Sequence, residues 1–281
     1  MSLQPFEHYE AIGTADANSR WNARMKWFVV GFALAGIAIG YAVGKNIGYP
    51  VFGAFAGGAV GYGIFRWFLY DAASDSADDL YQADWCQVRG MTSRGDDYFP
   101  NNAPYAKSGD RRKATDAFEG TWQGMDTLFY NFTYIDRRTD SNGTHETRYN
   151  FKIMRLTGPV LPIQRLSIHQ RGAFDLKLFD SLQGKFSGMK PISLESAEFN
   201  DKFDLTISDE ADEIWIRRIF DPATIAGLVD GSFRIPDVKY YDRAWWFVEK
   251  DHFRIRDLEE WVGKQAAAAG AADHLSRVQD L

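Results

Sequence analysis

The sequence predicts a membrane-anchored α+β protein: an N-terminal transmembrane helical hairpin followed by an antiparallel β-rich soluble domain with helices. Three observations carry that prediction. Two apolar runs, 27–44 and 49–70, hold only Arg66 as a charge and lie either side of a short break. Past residue 118 come alternating aromatic and β-branched segments separated by turn residues. No strand–helix–strand alternation follows, which argues against a parallel sheet.

At 1.5 Å per helical residue the two runs reach about 27 and 33 Å, near the ~30 Å of a hydrocarbon core. Trp27, Tyr49, Trp67 and Tyr70 stand at their ends, where interfacial aromatics belong. Each run repeats glycine at every fourth position: Gly36, Gly40 and Gly44 in the first, Gly53, Gly57 and Gly61 in the second. Glycine weakens a helix by roughly 1 kcal/mol, and in lipid it allows two backbones to touch. These six residues are expected to pack helix on helix, within the hairpin or between protomers of a homo-oligomer. Arg20, Arg24, Lys26 and Arg66 flank the pair and Lys45 alone sits in the turn. The basic bias predicts both termini in the cytoplasm, at a bacterial inner membrane.

The chain divides into a cytoplasmic segment 1–26, the hairpin 27–70, a linker and long loop 71–117, an α+β domain 118–262, and a C-terminal helix or tail 263–281. The acidic stretch 71–79 reads as a helix extension or linker, and 91–116, rich in Gly, Pro, Asn and Asp, as an irregular loop. A strand over 118–136 and another over 144–156 flank Asn142-Gly143, a strong hairpin signal. Further strands are expected over 160–170 and 198–207, with a short helix over 174–182. Asp209 is expected to cap a helix over 210–220, and Asp221, ahead of Pro222, a second one ended by Gly231. Strands over 232–241 and 244–250 and a helix from 255 complete the domain.

At Gly120-Thr121-Trp122-Gln123-Gly124, at Glu198-Phe199-Asn200 with Phe203 after it, and at the Pro222 helix, the chain resembles bacterial, often actinobacterial, two-span membrane proteins. Their soluble domain has no assigned activity, so the resemblance implies a fold and no reaction. It covers about residues 25–250 and departs from the family at Phe220-Asp221-Pro222.

The net charge of −6 makes nucleic acid an unfavourable partner; Arg111, Arg112 and Lys113 form the densest basic run. The single cysteine, Cys86, allows no intrachain disulfide, and the five histidines show no metal-ligand spacing. No nucleophile elbow, zinc-protease motif or phosphate loop is present. No catalytic, cofactor or metal residues are nominated. The expected function is a non-enzymatic, membrane-anchored scaffold or adaptor that binds a protein. The alternatives are a glycine-zipper pore or membrane-perturbing protein, as in prophage or host defence, and a membrane-bound enzyme with an unrecognised site. Tyr98, Phe99 and Tyr105, on the Gly- and Asn-rich loop, are the candidate anchors for that partner.

Overall fold

The computed structural model describes all residues except 1–2, 25, 47–48, 123, 142, 158–160, 162, 172–187, 232–236 and 263–281; at 17–24, 26–29, 32, 33, 50, 65, 66, 68, 69 and 72 it describes backbone alone. The chain forms two units, Met1–Val88 and Arg89–Leu281.

The first unit is helical. Helix α1 spans Phe6–Arg24, α2 Lys26–Asn46 and α3 Pro50–Arg89, the last residue of α3 belonging to the second unit. At 40 residues, α3 is about 60 Å long. It runs antiparallel to both partners, with α2 against its first half and α1 against its second. Tyr9 of α1 donates to Asp84 Oδ2 at 2.9 Å, and the rings of Phe6 and Tyr9 each meet Tyr81 edge-on at 5.3 Å. At Gly13 an added Cβ would stand 2.6 Å from the carbonyl oxygen of Ala73.

Among the described residues, no helix is long and apolar enough to cross a membrane. This overturns the membrane-anchored fold class and the transmembrane hairpin. With it go the bilayer as partner, the inner-membrane location with cytoplasmic termini, the membrane-anchored adaptor, the glycine-zipper pore and the membrane-bound enzyme. Absence of charge was the wrong measure of apolarity. Glycine and alanine, which bring little apolar surface, recur through both runs. The second run is the opening half of a longer helix that carries Asp71, Asp75, Asp78 and Asp79 beyond it. The acidic stretch is thus helix interior, and the segment before the hairpin is largely the helix α1.

Among the described residues, the second unit is built on a nine-stranded sheet in the order β1-β2-β3-β4-β9-β8-β5-β7-β6, antiparallel at every pairing. Its strands are β1 Met91–Gly95, β2 Arg111–Trp122, β3 Met125–Asp140, β4 Gly143–Thr157, β5 Leu166–Gln170, β6 Met189–Ile192, β7 Phe203–Ser208, β8 Asp237–Tyr241 and β9 Ala244–Lys250. Helices α4 Ala197–Lys202, α5 Glu213–Ile219 and α6 Pro222–Val229 lie between β6 and β8 in the chain.

The strand expected over 118–136 is two. A tight turn at Gly124, where φ is +82°, folds β2 back on β3. Gly120 answers a different need: a Cβ there would lie 2.6 Å from Met91 Sδ and 2.7 Å from the Gly90 carbonyl oxygen, so β1 could not approach. The loop expected over 91–116 shrinks to 96–110, because β1 and the start of β2 occupy its ends. The strand expected over 198–207 begins as a helix. Ser196 caps α4 by accepting from Phe199 N–H at 3.2 Å, and Phe199 and Phe203, four apart, stack at 5.1 Å. Asp212, and not Asp209, caps α5, accepting from Ile214 N–H at 2.9 Å. Asp221 caps α6 from Thr224 N–H at 2.7 Å, with Pro222 in its first turn. The helix expected over 174–182 lies outside the described residues.

One sheet face buries Leu128, Tyr130, Phe132, Phe151, Ile153, Trp246 and Val248 under the loop 96–110, which lays Ala103, Tyr105 and Ala106 on them. The other face buries Phe118, Phe129, Met154, Leu156 and Phe247, with Phe253 and Trp261 near Phe129. Asn131, 2% exposed, secures that arrangement. It donates to the Phe253 carbonyl and accepts from Phe253 N–H, both at 2.9 Å.

Candidate functional site

The first unit presents large apolar side chains outward. On α2, Val30, Leu34, Ile37 and Tyr41 follow one another at helical spacing, each 42–59% exposed. On α3, Val51, Phe52 and Phe55 are 67%, 74% and 77% exposed. From Phe28 to Ile64 the only charge is Lys45. Fully burying a Val, Leu or Phe side chain is worth about 1.5–3 kcal/mol. Contiguous exposed apolar surface of this kind marks an interaction site on a protein.

Five of the six nominated glycines, Gly36, Gly40, Gly44, Gly53 and Gly57, lie where α2 meets α3. A Cβ at Gly36 would collide with the Gly57 carbonyl, and one at Gly40 with that of Gly53; the reciprocal additions collide likewise. A Cβ at Gly53 would also come within 2.8 Å of Gly44 Cα. Gly61 is buried farther along α3. The small residues thus face inward between the helices, and the large ones face out.

The three loop aromatics divide. Tyr105 is 2% exposed and stacks on Phe151 at 4.7 Å. Phe99 is partly buried and meets Phe132 edge-on at 5.2 Å. Only Tyr98 is exposed; its hydroxyl donates to Glu119 at 3.1 Å and Arg94 lies over its ring. Loop composition did not distinguish an anchor for a partner from a plug for the domain's own core.

Sequence reasoning missed a row of ionisable groups on the face beneath that loop. His169 of β5 pairs in register with Asp204 of β7 on one side and with Asp237 of β8 on the other. Two residues on, Lys239 Nζ donates to Asp237 Oδ2 at 2.7 Å, the two side chains being 2% and 3% exposed. Tyr105 lies over this pair, with its ring centroid 5.2 Å from Lys239 Nζ. Burial, and then the Asp237 carboxylate, push the Tyr105 hydroxyl well above its ordinary value. Burial pulls His169 below its usual 6.5; Asp237 and Asp204 oppose that and Lys239 adds to it. A signal was present in "DVKYY": charges two apart on a strand share a face and can pair.

His169 borders a cleft of about 220 Å³ shared with Arg171, Asn200, Asp204 and Thr206. Arg171 donates twice to Asp204 Oδ1, at 2.9 and 2.7 Å. Burial therefore disfavours the charged imidazole although a carboxylate stands on either side of it in register. Asn200 is committed to structure, exchanging hydrogen bonds with both backbone groups of Leu194. Among the described residues, no group of three or more His, Cys, Asp or Glu is placed to hold a metal ion. Cys86 lies half-buried on α3.

No family model and no curated protein matches the chain. Among solved structures, the chain matches the crystal structure of the mycobacterial trehalose monomycolate transport factor A, TtfA. The identity is 7% and the TM-score 0.43, over 69% of this chain and 93% of that one. Likeness at that level carries no argument about what this chain binds or does.

Proposed function

We propose that this chain is a protein-docking component whose helical unit seats on a polypeptide partner through the outer faces of α2 and α3. The observation that carries the reading is the exposure of Leu34, Ile39, Val51, Phe52 and Phe55 on two helices already packed against each other by their glycine sides. Their glycine sides are occupied by each other, and the large apolar side chains on the outer faces are left exposed among the described residues. Interface cores are depleted in charge and enriched in aromatic side chains, and this surface has both properties.

A photoreactive benzoylphenylalanine in place of Phe55, in the full-length chain in its native cells, tests the proposal. The expected result is a discrete cross-linked polypeptide band that disappears when Phe52→Lys is added. Adducts to lipid alone, or flotation of the purified chain with phospholipid vesicles without a polypeptide adduct, would assign the same surface to lipid and remove the reading.

A further inference from the structure

The loop 96–110 lies on polar groups that the protein itself does not answer. Tyr130 of β3 and Trp246 of β9 are fully buried, and among the described residues neither Tyr130 Oη nor Trp246 Nε1 meets a hydrogen-bonding group. Both side chains belong to the cluster on which the loop lays Ala103, Tyr105 and Ala106. The ring of Phe99 stands 6.5 Å from that of Tyr130. Tyr241 stacks on Trp246 at 5.7 Å and donates to the Asn102 carbonyl at 2.8 Å, which ties the loop to the same corner of the sheet. Burial, and after it the neighbouring Tyr130, push the Tyr241 hydroxyl up.

Sealing a polar group without a partner carries the full cost of taking it out of water. The loop also closes in a conformation that its own residues resist. Asp97 and Tyr105 both hold φ at +61°, in the left-handed region where an L residue is strained. Asp97 N–H donates to the Ala114 carbonyl and Asp110 N–H to the Ile135 carbonyl, each at 2.8 Å, and these bonds pin the two ends. Between them the backbone forms turns within the loop: Ala103 to Pro100, Ala106 to Ala103 and Ser108 to Tyr105. Side-chain bonds from Tyr241, Asn102 and Arg112 tie down the middle. Burial of Phe99, Ala103 and Tyr105 thus holds the loop closed, and the two unanswered groups and the backbone strain work against it.

We propose that the loop 96–110 is a lid, which lifts as one unit from a sheet that stays folded and uncovers Tyr130, Trp246 and the Asp237–Lys239 pair. Lifting hydrates the two polar groups and relaxes Tyr105, so it costs less than unfolding the domain. A segment of this kind opens at a free energy set by its own contacts. Tyr105 is the seal over the ion pair, with its ring centroid 5.2 Å from Lys239 Nζ. The uncovered floor presents an ammonium, a carboxylate, an indole N–H and a phenol.

The test uses the full-length chain. Ala103 is fully buried in the lid, so a thiol placed there by Ala103→Cys reacts with iodoacetamide only when the lid lifts. Peptide-resolved mass spectrometry separates it from Cys86. Its alkylation rate is expected to depend on urea much less steeply than global unfolding does, because little surface is exposed. Adding Tyr130→Phe removes a group that is hydrated only in the open state, and is expected to slow alkylation by about fivefold or more. Tyr240→Phe is the control: its hydroxyl accepts from Leu161 N–H at 3.0 Å, and removing it should give no such slowing. Hydrogen exchange over 97–110, in chains that keep Ala103, is expected to slow by the same factor with Tyr130→Phe. An alkylation rate with the urea slope of global unfolding overturns the proposal. So does a rate, or an exchange, that Tyr130→Phe leaves unchanged or quickens, or that Tyr240→Phe slows equally.

Discussion

Lys239 and Asp237 are nearly sealed from water, and each answers the other's charge. Removing one partner from a buried pair costs about 3–5 kcal/mol, because the remaining charge is left without compensation, whereas replacing both costs less. Lys239→Met is therefore expected to lower the guanidinium midpoint, followed by tryptophan fluorescence, more than Asp237→Leu and Lys239→Met together. A larger loss in the double variant would mean that the pair itself stabilises the fold. His169 gives a pH signature. Its folded pKa lies below the ordinary 6.5, so above 6.5 it is neutral in both states and neutral to stability. As pH falls below 6.5, the unfolded chain takes up a proton that the folded one refuses, and stability drops. Replacing it by His169→Gln should flatten that acid-side decline in melts between about pH 7 and 5; an unchanged slope would place the titration elsewhere. These residues were hard to read in sequence because strand alternation implies a wet polar face. Here Tyr105 of the loop 96–110 lies over Lys239 beside Asp237, so the polar positions of β8 are buried too.

Helix contact through glycine makes a sharp demand on side-chain size. Leucine at Gly40 or Gly57 would drive into the backbone of the facing helix, which cannot swing aside as a side chain can. Each substitution is expected to cost at least about 1–3 kcal/mol of thermal stability. Ala38→Leu, at an exposed position of α2, should stay within about 0.5 kcal/mol of the wild type. Equal melting of all three variants would deny the glycines that role. Legibility at this scale followed local chemistry. Asn142-Gly143 marked the β3–β4 hairpin, and Asp221-Pro222 marked the start of α6, because those motifs act on their own backbone. The β2–β3 turn was lost inside a continuous aromatic run, and α4 was lost because Phe199 and Phe203 fit alternation and a helical turn equally well. The helical hairpin was legible as helices, while its setting was misread from run length, terminal aromatics and the scarcity of charge.

Among the described residues, the nine strands of the second unit pair with one another. Residues 89–281 expressed alone are expected to keep the near-ultraviolet signal of Tyr130, Trp245 and Trp246 and to unfold cooperatively. A spectrum without tertiary features would show that the helical unit is needed for folding. The strand order itself was invisible in the sequence, since nothing local in β4 states that its neighbour is β9. That pairing, from Phe151 with Lys250 to Thr157 with Ala244, sets a clock on synthesis. Strands β1 to β4 can pair as they leave the ribosome, but about 90 further residues must be made before β9 arrives. At some 5–20 residues per second that is a wait of roughly 5–20 s. Throughout it, β4 offers an open edge of unpaired backbone groups, so the nascent chain has its greatest need of a chaperone during the synthesis of residues 158–243.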